Sequence, residues 1–306
     1  MGLSTALRRV FSDDKSIDSR LLNVLGVHVF RTIVARALFN LRPSSADESV
    51  KGKLKELRRE GVVAWPDFLP EEHFEQVREE YSKVLANHRD EFVVHREGTN
   101  TFETANSSDL PQGELTGIRG ALADPRLEKL LQGAERRPLV YQGGIDGDMG
   151  LDLLIQGEPS DIADSQTVLH TDVFFVSHKA WLYVTDVDPE DGPFAYVKRS
   201  HRVTPRQLYY SYKESIGGNQ GSRRITPEEL QRLGLEETMV TCRKNTLVVA
   251  NTAGFHRRVR GAEGRQRYAL HLYLRGDAFG MAQGKRVLKR GFGRLRRLRR
   301  RSTAAA

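Results

Sequence analysis

Cysteine is almost missing from these 306 residues, Cys242 being the sole example. An internal disulfide is therefore excluded, and a reducing compartment is expected. The chain has no uncharged apolar run of about 18 residues, so a membrane-spanning helix is not expected. Its first residues also lack a compact apolar stretch followed by a small-residue cleavage site, and secretion is not expected either. Neither an internal repeat nor a phosphate-binding glycine motif is found, which argues against solenoids and nucleotide-binding loops.

What remains is the composition of an ordinary globular protein, 39% hydrophobic and 29% charged. The formal charge of +8 is unevenly placed. Residues 278–306 hold ten lysines and arginines and no acid, which leaves residues 1–277 at −2. Any partner argument drawn from charge is therefore an argument about this basic tail. Leu288, Phe292, Leu295 and Leu298 recur at helical spacing among its arginines, with Gly291 and Gly293 interrupting them. An anionic membrane surface is the first expectation, ahead of a solvated end. Nucleic acid comes last, because Phe292 alone offers little stacking surface.

Along the chain, Leu22, Leu25, Val29, Ile33 and Ala37 predict one amphipathic helix over 18–40, followed by a second up to Gly61. A short strand precedes a helix from Pro70 to Ala86, and the polar stretch from His88 to Pro111 reads as a loop insertion. Pro125 to Glu135 predicts a helix. Strands are expected at 139–142, 151–156, 167–175, 179–185, 194–197, 238–243, 246–251 and 268–275, with helices at 205–215 and 227–233. Short strands joined mostly by turns favour an antiparallel sandwich or barrel, mainly β with flanking helices. The boundaries expected are an N-terminal helical extension over 1–59, a catalytic domain over 60–277, and the basic tail over 278–306.

A His followed two residues later by an acid occurs four times, at His73, His88, His95 and His170. The first two fall in or at the end of a helical segment, where residues two apart point in different directions. His95 precedes a polar Arg-Glu-Gly-Thr-Asn stretch. His170-Thr171-Asp172 sits instead in the apolar run Val168 to Phe175. On a strand, side chains two apart share a face, ~6.7 Å apart at a rise of ~3.3 Å per residue. With His256 added, two imidazoles and one carboxylate would occupy one side of a non-haem Fe(II), leaving the opposite positions open. Arg267, at the start of the next apolar run, offers a bidentate fork for a carboxylate, with Arg265 as its competitor.

Here the chain resembles the phytanoyl-CoA dioxygenase family of Fe(II)/2-oxoglutarate oxygenases. The resemblance runs from Gly61-Val62-Val63-Ala64-Trp65-Pro66-Asp67-Phe68-Leu69 through His170-Thr171-Asp172, Trp181 and Asp191-Gly192-Pro193-Phe194. It continues through Lys198-Arg199-Ser200-His201-Arg202, where Lys198-Arg199 replace the family's Pro-Gly, to His256, Arg267 and the strand at Tyr268. It implies a double-stranded β-helix (jelly-roll) core, and Fe(II) held by His170, Asp172 and His256. It also implies 2-oxoglutarate anchored by Arg267, O₂ as co-substrate, and stimulation by ascorbate. Retention of Asp172 implies hydroxylation, since related groups that carry a small residue there leave room for halide. The expected substrate is a small molecule, lipid or glycolipid, and the expected location is cytoplasmic, extending to the periphery of the inner membrane. Two other readings are a cofactor-independent jelly-roll isomerase or epimerase and a non-catalytic membrane-associated adaptor.

Overall fold

A computed structural model describes residues 10–280 except 13, 16, 45, 98–99, 140–148, 157–164, 218–221 and 275–277. Two helices open it, α1 (Arg20–Val24) and α2 (Val27–Leu41), where the sequence predicts one. The break falls at Gly26, whose φ of 77° lies in the left-handed region that a side chain disfavours. Next come α3 (Lys51–Glu60), β1 (Val62–Trp65) and α4 (Glu71–Asn87). The left-handed residue Gly61 stops α3, and Arg58 and Arg59 complement the dipole of its last turn.

Strands β2 (Val93–Glu97) and β3 (Asn100–Asn106) occupy the stretch expected as a loop insertion. They pair with each other, and β3 pairs with β4 (Met149–Gln156), so this polar segment is a hairpin added to a sheet edge. An edge hairpin needs no apolar run, which is why polarity was a misleading signal. Between them and β4 lie α5 (Thr116–Leu122) and α6 (Pro125–Glu135), the latter started by Asp124 as N-cap with Pro125 in its first turn. The strand expected at 139–142 falls almost wholly outside the described residues.

The remaining elements are β5 (His178–Tyr183), β6 (Phe194–Val197), α7 (Pro205–Ile216), α8 (Pro227–Arg232), β7 (Glu237–Val240), β8 (Leu247–Asn251), β9 (His256–Arg258) and β10 (Arg267–Leu274). Thr204 with Gln207, and Thr226 with Glu229, close capping boxes on α7 and α8, each with proline next. Seven strands form one sheet in the order β1-β8-β5-β10-β4-β3-β2, and three form a second in the order β7-β6-β9. Every strand pairing is antiparallel. Two facing antiparallel sheets whose strands alternate between them make a jelly roll, with helices taking a larger share of the chain than the sequence suggests.

The large sheet buries both faces. Leu182, Val249, Leu270 and Leu272 pack outward with Leu54, Leu57, Phe74 and Leu130 of the helices. Trp181, Tyr183, Val248, Ala250 and Ala269 point inward and meet Phe194 and Tyr196 of the small sheet. This alternation places the odd-numbered side chains of β5 and β10 inside the roll.

Candidate metal centre

Residues 167–175 do not form the strand expected of them. His170 alone bridges to His256, with His170 N donating to His256 O and His256 N donating to His170 O, both at 2.9 Å. Its neighbours turn to other partners: Thr171 N donates to Arg223 O and Asp172 N to Thr252 O. The segment's hydrogen bonds are therefore divided among several stretches of chain, and no continuous ladder can form. The bridge nevertheless adds a fourth line to the small sheet and seats two ligating residue types directly opposite each other.

The imidazole centroids are 4.6 Å apart. His170 Nε2 lies 3.8 Å from Asp172 Oδ1, and His256 Nε2 lies 3.6 Å from Asp172 Oδ2. One ligand atom from each residue falls within 4.8 Å of the other two. The two Nδ1 atoms face carbonyl oxygens, Val168 O at 2.8 Å and Gly254 O at 2.9 Å. A carbonyl only accepts, so each Nδ1 carries the proton, and a neutral ring turns a bare Nε2 lone pair toward the carboxylate. Burial, with His256 nearby, lowers the His170 pKa to about 4 and keeps it neutral. Burial alone would raise the Asp172 pKa. The Lys179 ammonium, whose Nζ is 2.8 Å from Oδ2, opposes that, and the carboxyl is held well below the usual carboxylate range. Two lone pairs and a carboxylate converging over contacts too long for hydrogen bonds are donors arranged around a cation.

A short network holds His256 in place. Tyr196 Oη donates to Asn251 O at 2.9 Å, Asn251 Oδ1 accepts from Ala253 N, and Ser200 Oγ accepts from Phe255 N at 2.7 Å. Gly254 fits under Tyr196 so tightly that a Cβ there would lie 2.1 Å from the phenol oxygen. Ser200 thus supports the turn before His256. His201 lies buried, bonded to Arg58 O at 3.1 Å.

Arg267 opens β10 and is 5% exposed. Among the described residues its Nε and Nη1 have no hydrogen-bond partner, and neither has the hydroxyl of Tyr183, over whose ring the guanidinium lies at 5.7 Å. Burial pushes that phenol up to about 12 despite the cation beside it. A buried guanidinium fork with free donors fits a carboxylate ligand. Arg265 is half exposed and paired to Asp191 at 2.8 Å, so it belongs to the surface.

The other histidine motifs separate from this cluster. His73 Nε2 bonds Gly117 O and His88 Nε2 meets Glu114, while His95 stands on the β2 backbone. Sequence reasoning missed Lys179, Tyr196 and Gly254. The available signal for Lys179 was its parity with inward-facing Trp181 and Tyr183, because a charge on that face needs a partner. Trp181 packs 4.7 Å from Phe194 and stacks on His271 at 5.4 Å, and Phe194 lies 5.6 Å from His256, so this aromatic core also walls the centre.

A jelly roll with two histidines and one carboxylate gathered at its small sheet has the architecture of a mononuclear non-haem metalloenzyme. The family model described as Phytanoyl-CoA dioxygenase (PhyH) matches residues 57–240, well over half of the chain, and the chain belongs to that family. No curated protein matches it. Among solved structures it is similar to the non-heme alpha ketoglutarate dependent epimerase SnoN from nogalamycin biosynthesis, at 18% identity and a TM-score of 0.53. That match covers 74% of this chain and 83% of the other. The same epimerase with Fe3+, alpha ketoglutarate and nogalamycin RO gives 17% identity, a TM-score of 0.52 and the same coverage. The carbocyclase SnoK of that pathway gives 18%, 0.49, and coverages of 77% and 87%. At these identities the likeness concerns the fold.

Proposed function

We propose that this protein is an Fe(II)/2-oxoglutarate-dependent dioxygenase that hydroxylates a C–H bond of a small molecule. The observation that carries the reading is the convergence of His170, Asp172 and His256, with both Nδ1 protons committed to backbone carbonyls. These three residues would hold the iron. When bound, iron and 2-oxoglutarate supply O₂ activation coupled to decarboxylation of the keto acid to succinate and CO₂. Arg267 would pair with a carboxylate of 2-oxoglutarate, and the Tyr183 hydroxyl would serve as a second donor. Lys179 holds the Asp172 carboxylate ionised. Trp181 and Phe194 exclude water on the interior side.

The test is succinate release with Fe(II), 2-oxoglutarate and ascorbate, comparing wild type with Asp172→Ala. Wild type is expected to turn over and the variant to lose nearly all activity. Product analysis then separates outcomes: hydroxylation adds one oxygen atom to the substrate, whereas epimerisation leaves its mass unchanged. Turnover without O₂ or 2-oxoglutarate would select the cofactor-independent isomerase, and absence of metal affinity would select the adaptor. A cytoplasmic location belongs to the same proposal. Attachment of the basic tail to a membrane is supported by its sequence alone, because residues 281–306 lie outside the described residues.

A further inference from the structure

Helices α1 and α2 are built inside out. Their buried positions carry Asn23, His28, Arg31 and Thr32 beside only Ala35 and Phe39, while Leu21, Val24, Leu25, Phe30, Ile33 and Leu41 are 46% to 80% exposed. On α2, Phe30, Ile33, Ala37 and Leu41 fall on one stripe at helical spacing, directly opposite the side that packs on the body. Single exposed apolar residues are unremarkable, but a continuous apolar stripe on the side away from the body marks a surface that meets another apolar phase.

Charge indicates which phase. Between Asp18 and Asp47 the sequence contains no acid; of its arginines Arg20 is exposed and Arg36 and Arg42 are half-buried, while Arg31 is fully buried. The described residues also end at this same place. Phe279 packs 5.3 Å from Phe11 and 6.1 Å from Phe174, and a Cβ on Gly280 would lie 3.8 Å from Arg42. The 26 residues that follow Gly280 carry all ten cations of the tail and no acid. A second copy covering the stripe would set Arg20, Arg36 and Arg42 near their own counterparts at a cost in repulsion. Negatively charged lipid headgroups over an apolar interior match both features at once.

We propose that α1 and α2 dock the protein on an anionic phospholipid surface, the apolar stripe entering the headgroup boundary. The packed side of α2 contacts the segment that carries Asp172. Arg31, on the underside of α2, sits 3.9 Å from the ring centroid of Phe174, two residues after Asp172. Delivery of a lipid or glycolipid substrate from that surface is a corollary resting on the proposed oxygenase activity; the docking itself does not depend on it.

The experiment is vesicle co-sedimentation of the full chain, with phosphatidylcholine alone or mixed with phosphatidylglycerol. Wild type is compared with the double variant Phe30→Asp, Ile33→Asp and with the milder Leu25→Ser. Both variants alter exposed side chains, and thermal melting confirms that they fold. Wild type is expected to bind the anionic vesicles, to bind neutral ones much less, and to be released by ~1 M salt. The double variant is expected to bind at least about tenfold more weakly, with Leu25→Ser between the two. Equal binding by the double variant, or no binding by wild type, overturns the proposal. So does a wild-type dimer in light scattering that the double variant abolishes, since the stripe would then serve a second copy. Because the readout requires no turnover, failure here is distinct from failure of the oxygenase reading.

Discussion

Replacing Gly254 by alanine is expected to damage the metal centre without touching a ligand. An added Cβ would lie 2.1 Å from Tyr196 Oη, 2.7 Å from its Cζ and 2.8 Å from Ser200 Oγ. Relief requires Tyr196, wholly buried, to move by roughly an ångström to regain ordinary van der Waals spacing. That movement breaks the bond from Tyr196 Oη to Asn251 O, and displacing Ser200 breaks its bonds to Val197 O and Phe255 N. Overpacking costs about 1–3 kcal/mol, and each buried group left unpaired about 1–3 kcal/mol, so a loss of about 4 kcal/mol is expected. The turn whose Gly254 carbonyl accepts from His256 Nδ1 shifts with it, and metal affinity should fall by about 10- to 100-fold. The control is Gly52→Ala on α3, where nothing lies within 4 Å and alanine should stabilise by about 0.5–1 kcal/mol. Urea unfolding of the metal-free protein and Co(II) titration measure the two effects. A Gly254→Ala protein within about 0.5 kcal/mol of wild type, with unchanged metal affinity, would refute the reasoning.

Other outcomes follow from the same geometry. Arg267→Leu should weaken 2-oxoglutarate binding by about 100-fold while leaving Fe(II) affinity intact, and Arg265→Leu should not; isothermal titration with each ligand decides between them. Acid should destabilise the fold through buried histidines, because burial lowers the pKa to about 3 for His28 and to about 4 for His170 and His201. The unfolded chain takes up these protons first, near its ordinary ~6.5, so the penalty is absent above that pH, grows as pH falls toward 4, and reaches about 2 kcal/mol per histidine at about pH 5. Denaturant midpoints that stay flat from neutrality to that pH would contradict it. Glu135 accepts from His178 Nδ1 at 2.7 Å and faces Arg137 at 3.7 Å, all three buried. Glu135→Ala is expected to cost about 3–5 kcal/mol in chemical denaturation, and a cost below about 1 kcal/mol would show the pair to be dispensable.

Much of this was readable from residue order. Proline after threonine or aspartate placed the starts of α6, α7 and α8, and short apolar runs placed β5, β6, β8 and β10, because these signals act within a few residues. The cluster of His170, Asp172 and His256 was also legible, although the reason offered was incomplete. A strand was expected to aim the first two side chains, whereas the aiming comes from backbone bonds to residues 223, 252 and 256, far along the chain. Such divided pairing leaves no periodic trace. The hairpin β2–β3 was hidden for a related reason, since a sheet edge tolerates polar residues that otherwise read as loop. The support of His256 by Tyr196, Ser200 and Gly254 depends on two distant segments meeting, and no local pattern encodes it. The outward apolar face of α1 and α2 has the periodicity of a helix, but periodicity does not tell which side faces the body.

The most direct test of the central claim is anaerobic Fe(II) titration of the purified protein, followed by 2-oxoglutarate, in wild type and in His170→Ala, Asp172→Ala and His256→Ala. One iron per chain in wild type, with each single substitution weakening binding by about 100-fold or more, is the predicted result. Undiminished iron binding in all three variants would contradict it.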